Sequence, residues 1–126
     1  MNLEEYFNSI SIEELNGFIS DRQEENLNIE FKTTVHPFES NETKEFDKKN
    51  YSKALSGFAN SSGGLIIWGV DASKNSDGID CAQALRPLEK LNQFLTKLNK
   101  LEGQATTPRV SGVKHRKIEM EDNKGS

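Results

Sequence analysis

The stretch Ala54-Leu55-Ser56-Gly57-Phe58-Ala59-Asn60-Ser61-Ser62-Gly63-Gly64-Leu65-Ile66-Ile67-Trp68-Gly69-Val70-Asp71 decides the fold. Ala54, Leu55, Phe58 and Ala59 recur at helical spacing and give a helix one apolar face. Asn60 to Gly64 ends that helix: glycine accepts left-handed dihedrals, and Asn and Ser side chains compete for backbone hydrogen bonds. Leu65 to Val70 is apolar without alternation, the pattern of a strand covered on both faces. Asp71 is the first polar residue where the strand emerges, and a carboxylate at the end of a central strand is a natural place for a site.

Upstream, Glu24 to Thr34 holds a first strand. Ile29 and Phe31 alternate with Glu30 and Lys32, so the two charged side chains share a face. Residues 35 to 41, with Pro37, read as a loop. Asn41 caps the next helix, along which Phe46, Tyr51, Leu55 and Phe58 line one side. The strand–helix–strand order predicts a crossover with parallel strands. Residues 3 to 24 read as one or two helices, with Ser11 as a cap and Leu15, Phe18 and Ile19 as an apolar stripe.

Downstream, residues 72 to 80 read as a turn and Pro87 as the first position of a helix. Leu88, Leu91, Leu95, Leu98 and Leu101 mark its buried side, and Gly103 ends it. Thr106 to Lys117, entered through Pro108, reads as a third strand. Val113 to Ile118 would begin a hairpin whose partner is absent, and Asp122 to Ser126 reads as a turn. The expected class is α/β (α+β): a single mixed sheet with packed helices in the order β-α-β-α-β(-β). Residues 1–21 form an N-terminal helical arm, and 22–126 form a domain truncated at its C-terminal end.

The 126 residues suffice for one domain with a modest core. The acidic Met1-Asn2-Leu3-Glu4-Glu5 lacks a secretory pattern, and no run of about 18 apolar residues would span a membrane. Cys81 is the only cysteine, which excludes a disulfide scaffold and fits a reducing cytoplasm. His36 and His115 are far apart and read as surface residues. Net charge is −4, yet Arg86 to Lys117 holds eight basic residues against Glu89 and Glu102, a local net of +6. Such asymmetry suits a polyanion on one side; the plain alternative is a solvated helix and hairpin.

Glu30-Phe31-Lys32 puts an acid and a base on one strand face, with Glu25 just before it. Carboxylates can hold a divalent ion against a phosphate while a lysine stabilises developing charge. An ordinary surface ion pair has the same pattern. The Asn60–Gly64 run follows a helix and precedes a strand, with no Gly-Lys-Ser/Thr after it, so it reads as a tight turn and not as a phosphate loop. Trp68, inside the apolar strand, reads as core.

Two motifs then combine. Glu25-x4-Glu30-Phe31-Lys32, followed by Phe58-Ala59-Asn60-x2-Gly63-Gly64-x4-Gly69-Val70-Asp71, resembles the Schlafen AlbA-type domain over residues 22 to 118. The resemblance implies an Alba-like fold and nucleic-acid binding. Bacterial members are described as DNA-binding transcriptional regulators. Some animal members bind tRNA-like RNA between two lobes and cut it at a three-carboxylate metal site. Glu25 and Glu30 match the first two family carboxylates and Lys32 the lysine beside them. The third falls at Ala72, with Asp71 adjacent and, in a regular strand, on the other face.

Three readings follow. The first is a DNA- or RNA-binding domain of a regulator or defence protein, with Lys90, Lys97, Lys100, Arg109, Lys114, Arg116 and Lys117 on phosphates and no cofactor required for binding. The second is an endoribonuclease with Glu25, Glu30 and Lys32 as catalytic residues and Glu25, Glu30 and Asp71 holding Mg or Mn. The third is a homo-oligomerisation module whose two copies build the cleft. A membrane partner is expected in none of them.

Overall fold

A computed structural model of the chain describes residues 3–26, 28–33, 41–59, 63–102 and 112–126. Two short helices, α1 (Leu3–Ser9) and α2 (Ile12–Ser20), open the chain. Glu13 and Glu14 sit in the first turn of α2, where the helix dipole favours acids. Ser11 stands at the N-cap in an extended conformation, but its hydroxyl makes no capping bond. Leu15 and Phe18 face inward, as their spacing predicts.

Strand β1 (Ile29–Lys32), helix α3 (Asn41–Ala59) and strand β2 (Leu65–Trp68) follow. β1 and β2 pair in parallel, Ile29 opposite Leu65 and Lys32 opposite Trp68, as the crossover requires. Gly63, at φ +94°, supplies the left-handed bend before β2. The expectations for Asn60 to Ser62, Gly103 and residues 35–40 and 106–111 fall outside the described residues, as do the side chains of Asn41 and Phe46.

Gly69 then redirects the sheet. Its N–H donates to the Lys32 carbonyl at 2.7 Å, and its carbonyl accepts from the Arg86 N–H at 2.7 Å. At φ +93° this peptide hands the chain from its β1 neighbour to the hairpin of β3 (Val70–Lys74) and β4 (Asp80–Leu85). The expected turn over 72–80 is therefore too long. β3 extends to Lys74, and the turn is confined to the residues after it. There the Asn75 Oδ1 accepts from the N–H groups of Asp77 and Ile79, an Asx-type closure.

β5 (Leu88–Glu89) precedes α4 (Leu91–Leu101), so the helix starts later than Pro87 suggests. Leu88 and Glu89 pair instead with β7 (Lys124–Gly125), which also pairs with β6 (Glu119–Glu121). The hairpin expected to lack a partner is thus closed within the chain, and it begins later than predicted. Gly112 to Lys117, part of the expected third strand, pairs with no strand. The observed order is α-α-β-α-β-β-β-β-α-β-β in place of β-α-β-α-β(-β), an α+β fold whose strands, among the described residues, pair in three small sheets.

β2 serves two cores, as its unalternating sequence predicts. Leu65 and Ile67 pack with Ile10, Leu15, Phe18 and Phe31. Trp68 and Ile66 pack with Tyr51, Leu88, Leu91, Phe94 and Leu98. Trp68 meets Phe94 edge-on at 5.0 Å between centroids, a favourable aromatic geometry. Leu91, Phe94 and Leu98 form the buried side of α4, and Leu95 is half-buried. No described helix is long and apolar enough to cross a membrane.

Candidate nucleic-acid interface and carboxylate cavity

The period-two alternation of β1 carries Glu30 and Lys32 to the same face, with Lys32 Nζ 3.6 Å from the Glu30 carboxylate. The preceding bend brings Glu25 beside them. Its Oε1 accepts from the Phe31 N–H at 2.9 Å, and its own N–H donates to the Asp80 carbonyl at 2.8 Å. Glu25 is therefore clamped between β1 and β4. Burial pushes its carboxyl above the usual carboxylate range, and the charges of Glu30 and Asp80 add to this. The Phe31 N–H and Lys32 oppose the shift without overcoming it.

These groups line a cavity of about 410 Å³ with Lys53, Asp71, Ala72 and Asp80. The register between β3 and β4 shifts between Asp71 and Ala72. That irregularity breaks the alternation that would send the two residues to opposite faces, and both border the cavity. Asp71 also stands 3.9 Å from the Arg86 Nε, an exposed and therefore weak pair. Asp80 and Lys53 carry no distinguishing signal in the sequence. Asp80 lies at the start of a strand whose small residues, Cys81 and Ala82, give little hydrophobic pattern. The acidic donors are all carboxylate oxygens, which suit Mg or Mn. Yet no group of three or more His, Cys, Asp or Glu among the described residues is arranged to hold a metal ion.

The basic residues divide into two sets. Lys97 and Lys100 project from the exposed face of α4, a helix with no acidic residue along its length. Lys100 lies in its last turn, where a cation also offsets the helix dipole. Lys90 sits at the N-cap position with φ 52°; its carbonyl accepts from the Phe94 N–H at 3.0 Å, but its side chain does not cap the helix. The cap comes from the hairpin turn instead: the Asn123 carbonyl accepts from the Leu91 N–H, and its Oδ1 from the Asn92 N–H at 2.7 Å. Arg109 lies outside the described residues.

The second set, Lys114, Arg116 and Lys117, lies on the segment before β6. Lys114 meets the Glu4 carboxylate at 2.5 Å. Arg116 donates to the carbonyls of Phe7 (3.2 Å) and Ile10 (2.7 Å), satisfying acceptors near the end of α1. Lys117 donates to the Asn92 Oδ1 at 2.7 Å and lies 3.8 Å from Glu119. Part of the basic segment is thus engaged with the chain's own acids and carbonyls, which its charge alone does not reveal.

His115, between them, is half-buried and bridges two helices. Its Nε2 lies 2.7 Å from the Tyr51 hydroxyl and its Nδ1 2.8 Å from the Asn99 Oδ1. An amide oxygen can only accept, so Nδ1 carries the proton and Nε2 accepts from Tyr51. Burial lowers the pKa of His115 below its ordinary value, with Glu102 opposing, and keeps the ring neutral. Burial likewise raises the Tyr51 hydroxyl. The sequence expectation of a surface histidine is corrected: its two partners lie 16 and 64 residues away.

Compared with known protein families, the chain matches the model described as Schlafen, AlbA_2 over residues 25–124. It belongs to the Schlafen AlbA_2 family. The match begins at the clamped Glu25 and ends in β7, so the Schlafen AlbA_2 region takes in the cavity, α4 and the whole basic segment, while α1 and α2 precede it. Membership of the Schlafen AlbA_2 family points to a nucleic-acid-related domain. No curated protein and no solved structure matched the chain.

Proposed function

We propose that this chain is a nucleic-acid-binding module of a regulator or defence protein, with α4 as its phosphate-facing element. The family match over residues 25–124 carries the reading. The acid-free outer face of α4, with exposed Lys97 and Lys100 and with Lys117 held beside its first turn by Asn92, supports the choice of element. The carboxylate cavity repels phosphate and leaves α4 as the electrostatically favoured approach. The side-chain oxygens of Asn92, Gln93 and Asn99 on this helix accept from Lys117, Asn123 and His115. Contacts from Lys97 and Lys100 to backbone phosphates would position the nucleic acid on this helix.

Each neutralised phosphate releases condensed counterions, so log affinity falls against log salt by about 0.9 per phosphate on duplex DNA. The test is fluorescence anisotropy with labelled duplex DNA and single-stranded RNA across a salt series, using wild type and Lys97→Ala/Lys100→Ala. Steep salt dependence and a loss of about tenfold or more in the double variant are expected. No binding to either probe at low salt would reject the reading.

A second reading is an endoribonuclease centred on Glu25, Glu30 and Lys32. The common cavity that also takes in Asp71 and Asp80 favours it. A raised Glu25 carboxyl suits proton transfer, and Lys32 could stabilise a developing phosphate charge. Comparing tRNA breakdown by wild type and Glu30→Ala, with manganese supplied, decides it: equal rates remove the active-site claim.

A further inference from the structure

Lys114 to Lys117 form a strap held by side chains that leave in two directions. Lys114 and Arg116 reach α1 and the residue after it, while His115 and Lys117 reach α3 and α4. α1 itself contributes no buried residue, and it precedes the family match. Its Tyr6 and Phe7 pack only partly against the core. Lys114 and Arg116 add a polar grip to this partial packing.

We propose that α1 is an internal competitor for polyanions: the Glu4 carboxylate occupies Lys114 as a phosphate would, and a nucleic-acid backbone gains Lys114 and Arg116 by displacing α1. This rests on the nucleic-acid-binding reading above. Three physical points support it. The Lys114–Glu4 pair is exposed on both sides, at 60% and 64% for the two side chains, so water screens it and exchange of one anion for another is inexpensive. Arg116 now serves neutral carbonyls, whereas a phosphate offers its guanidinium a charge-assisted, bidentate partner. Glu4 is tethered to the same chain, so its effective concentration at Lys114 is high and it competes despite a weak intrinsic pair. The hydrogen bond and charge of Lys114 hold the Glu4 carboxyl below its usual range, so it is anionic at neutral pH.

The plain alternative is an ordinary surface ion pair with no bearing on ligands. Anisotropy with a labelled RNA duplex at low salt separates the two, using wild type, Glu4→Gln and Glu13→Gln. Glu13→Gln removes the same charge from α2. Glu4→Gln is expected to bind about two- to fivefold tighter than wild type, with the gain fading as salt rises and absent once Lys114→Ala is added. Equal gains in Glu4→Gln and Glu13→Gln, or none in either, overturn the competitor while leaving nucleic-acid binding intact. Absence of binding by all three proteins overturns the competitor, and nucleic-acid binding itself falls only if duplex DNA and single-stranded RNA also fail to bind. Hydrogen exchange supplies an independent readout: the amides of α1 lose protection when duplex RNA saturates the wild type, and unchanged protection overturns the proposal.

Discussion

Asn123 joins two tasks. It takes φ 54°, a left-handed turn conformation that Asn tolerates better than most residues, and it caps α4 from outside the helix. Replacing it with Ala removes the cap and strains the turn, and a cost of about 1–2 kcal/mol is expected in urea unfolding. Gly125 is constrained differently: an added Cβ would overlap the Ile118 carbonyl oxygen, a backbone atom with no freedom to retreat. Gly125→Ala should destabilise by about 1–3 kcal/mol, read as a lower urea midpoint with unchanged slope. Glu25 gives the opposite sign. Its folded carboxyl titrates above the unfolded value, so the folded state binds more protons in that window and stability falls as pH rises through it. Glu25→Gln retains an acceptor for the Phe31 N–H without the charge, and a higher urea midpoint at neutral pH is expected. For His115 the folded pKa is lowered, so stability is complete above about pH 6.5 and declines as pH falls below it while the unfolded chain takes up the proton. His115→Phe should flatten that part of the stability–pH curve.

At the scale of the element, legibility in the sequence follows the strength of the periodic signal. β1, α3 and β2 are legible because Ile29/Phe31 alternate and because Leu65 to Val70 is an uninterrupted apolar run. α4 is legible in its leucines but not in its start, since the pairing of Glu89 with Lys124 in β7 is a long-range contact that no local pattern announces. β4 escapes a sequence reading because Asp80-Cys81-Ala82-Gln83-Ala84-Leu85 lacks the β-branched residues that mark strands. The site shows the same limit. Glu25, Glu30 and Lys32 fall close together in sequence, whereas Asp80 joins them through hairpin geometry and Asp71 through a bulge. The strap carries its own prediction: Arg116→Ala leaves the Phe7 and Ile10 carbonyls without that donor and should raise hydrogen exchange in residues 3–10 while β2 stays protected.

Two apolar clusters share β2, so neither can dissolve without disturbing the strand that supports the other. Unfolding should therefore be a single transition. Trp68, the only tryptophan, reports the cluster around α3 and α4, while far-ultraviolet circular dichroism averages the entire chain. Coincident midpoints from the two probes are expected, and a Trp68 transition that separates from the dichroism signal would show that the clusters melt apart. The charge arrangement follows the same division. The acid-lined cavity and the outer face of α4 are distinct surfaces, and a net charge of −4 conceals both.

The ring of His115 also offers a spectroscopic handle. Its Nδ1 proton, held against the Asn99 Oδ1 at 2.8 Å, should give a downfield line in a one-dimensional proton NMR spectrum at low temperature. With only two histidines in the chain, that line is readily assigned, and its persistence when α1 is displaced would show that the strap stays anchored on α3 and α4.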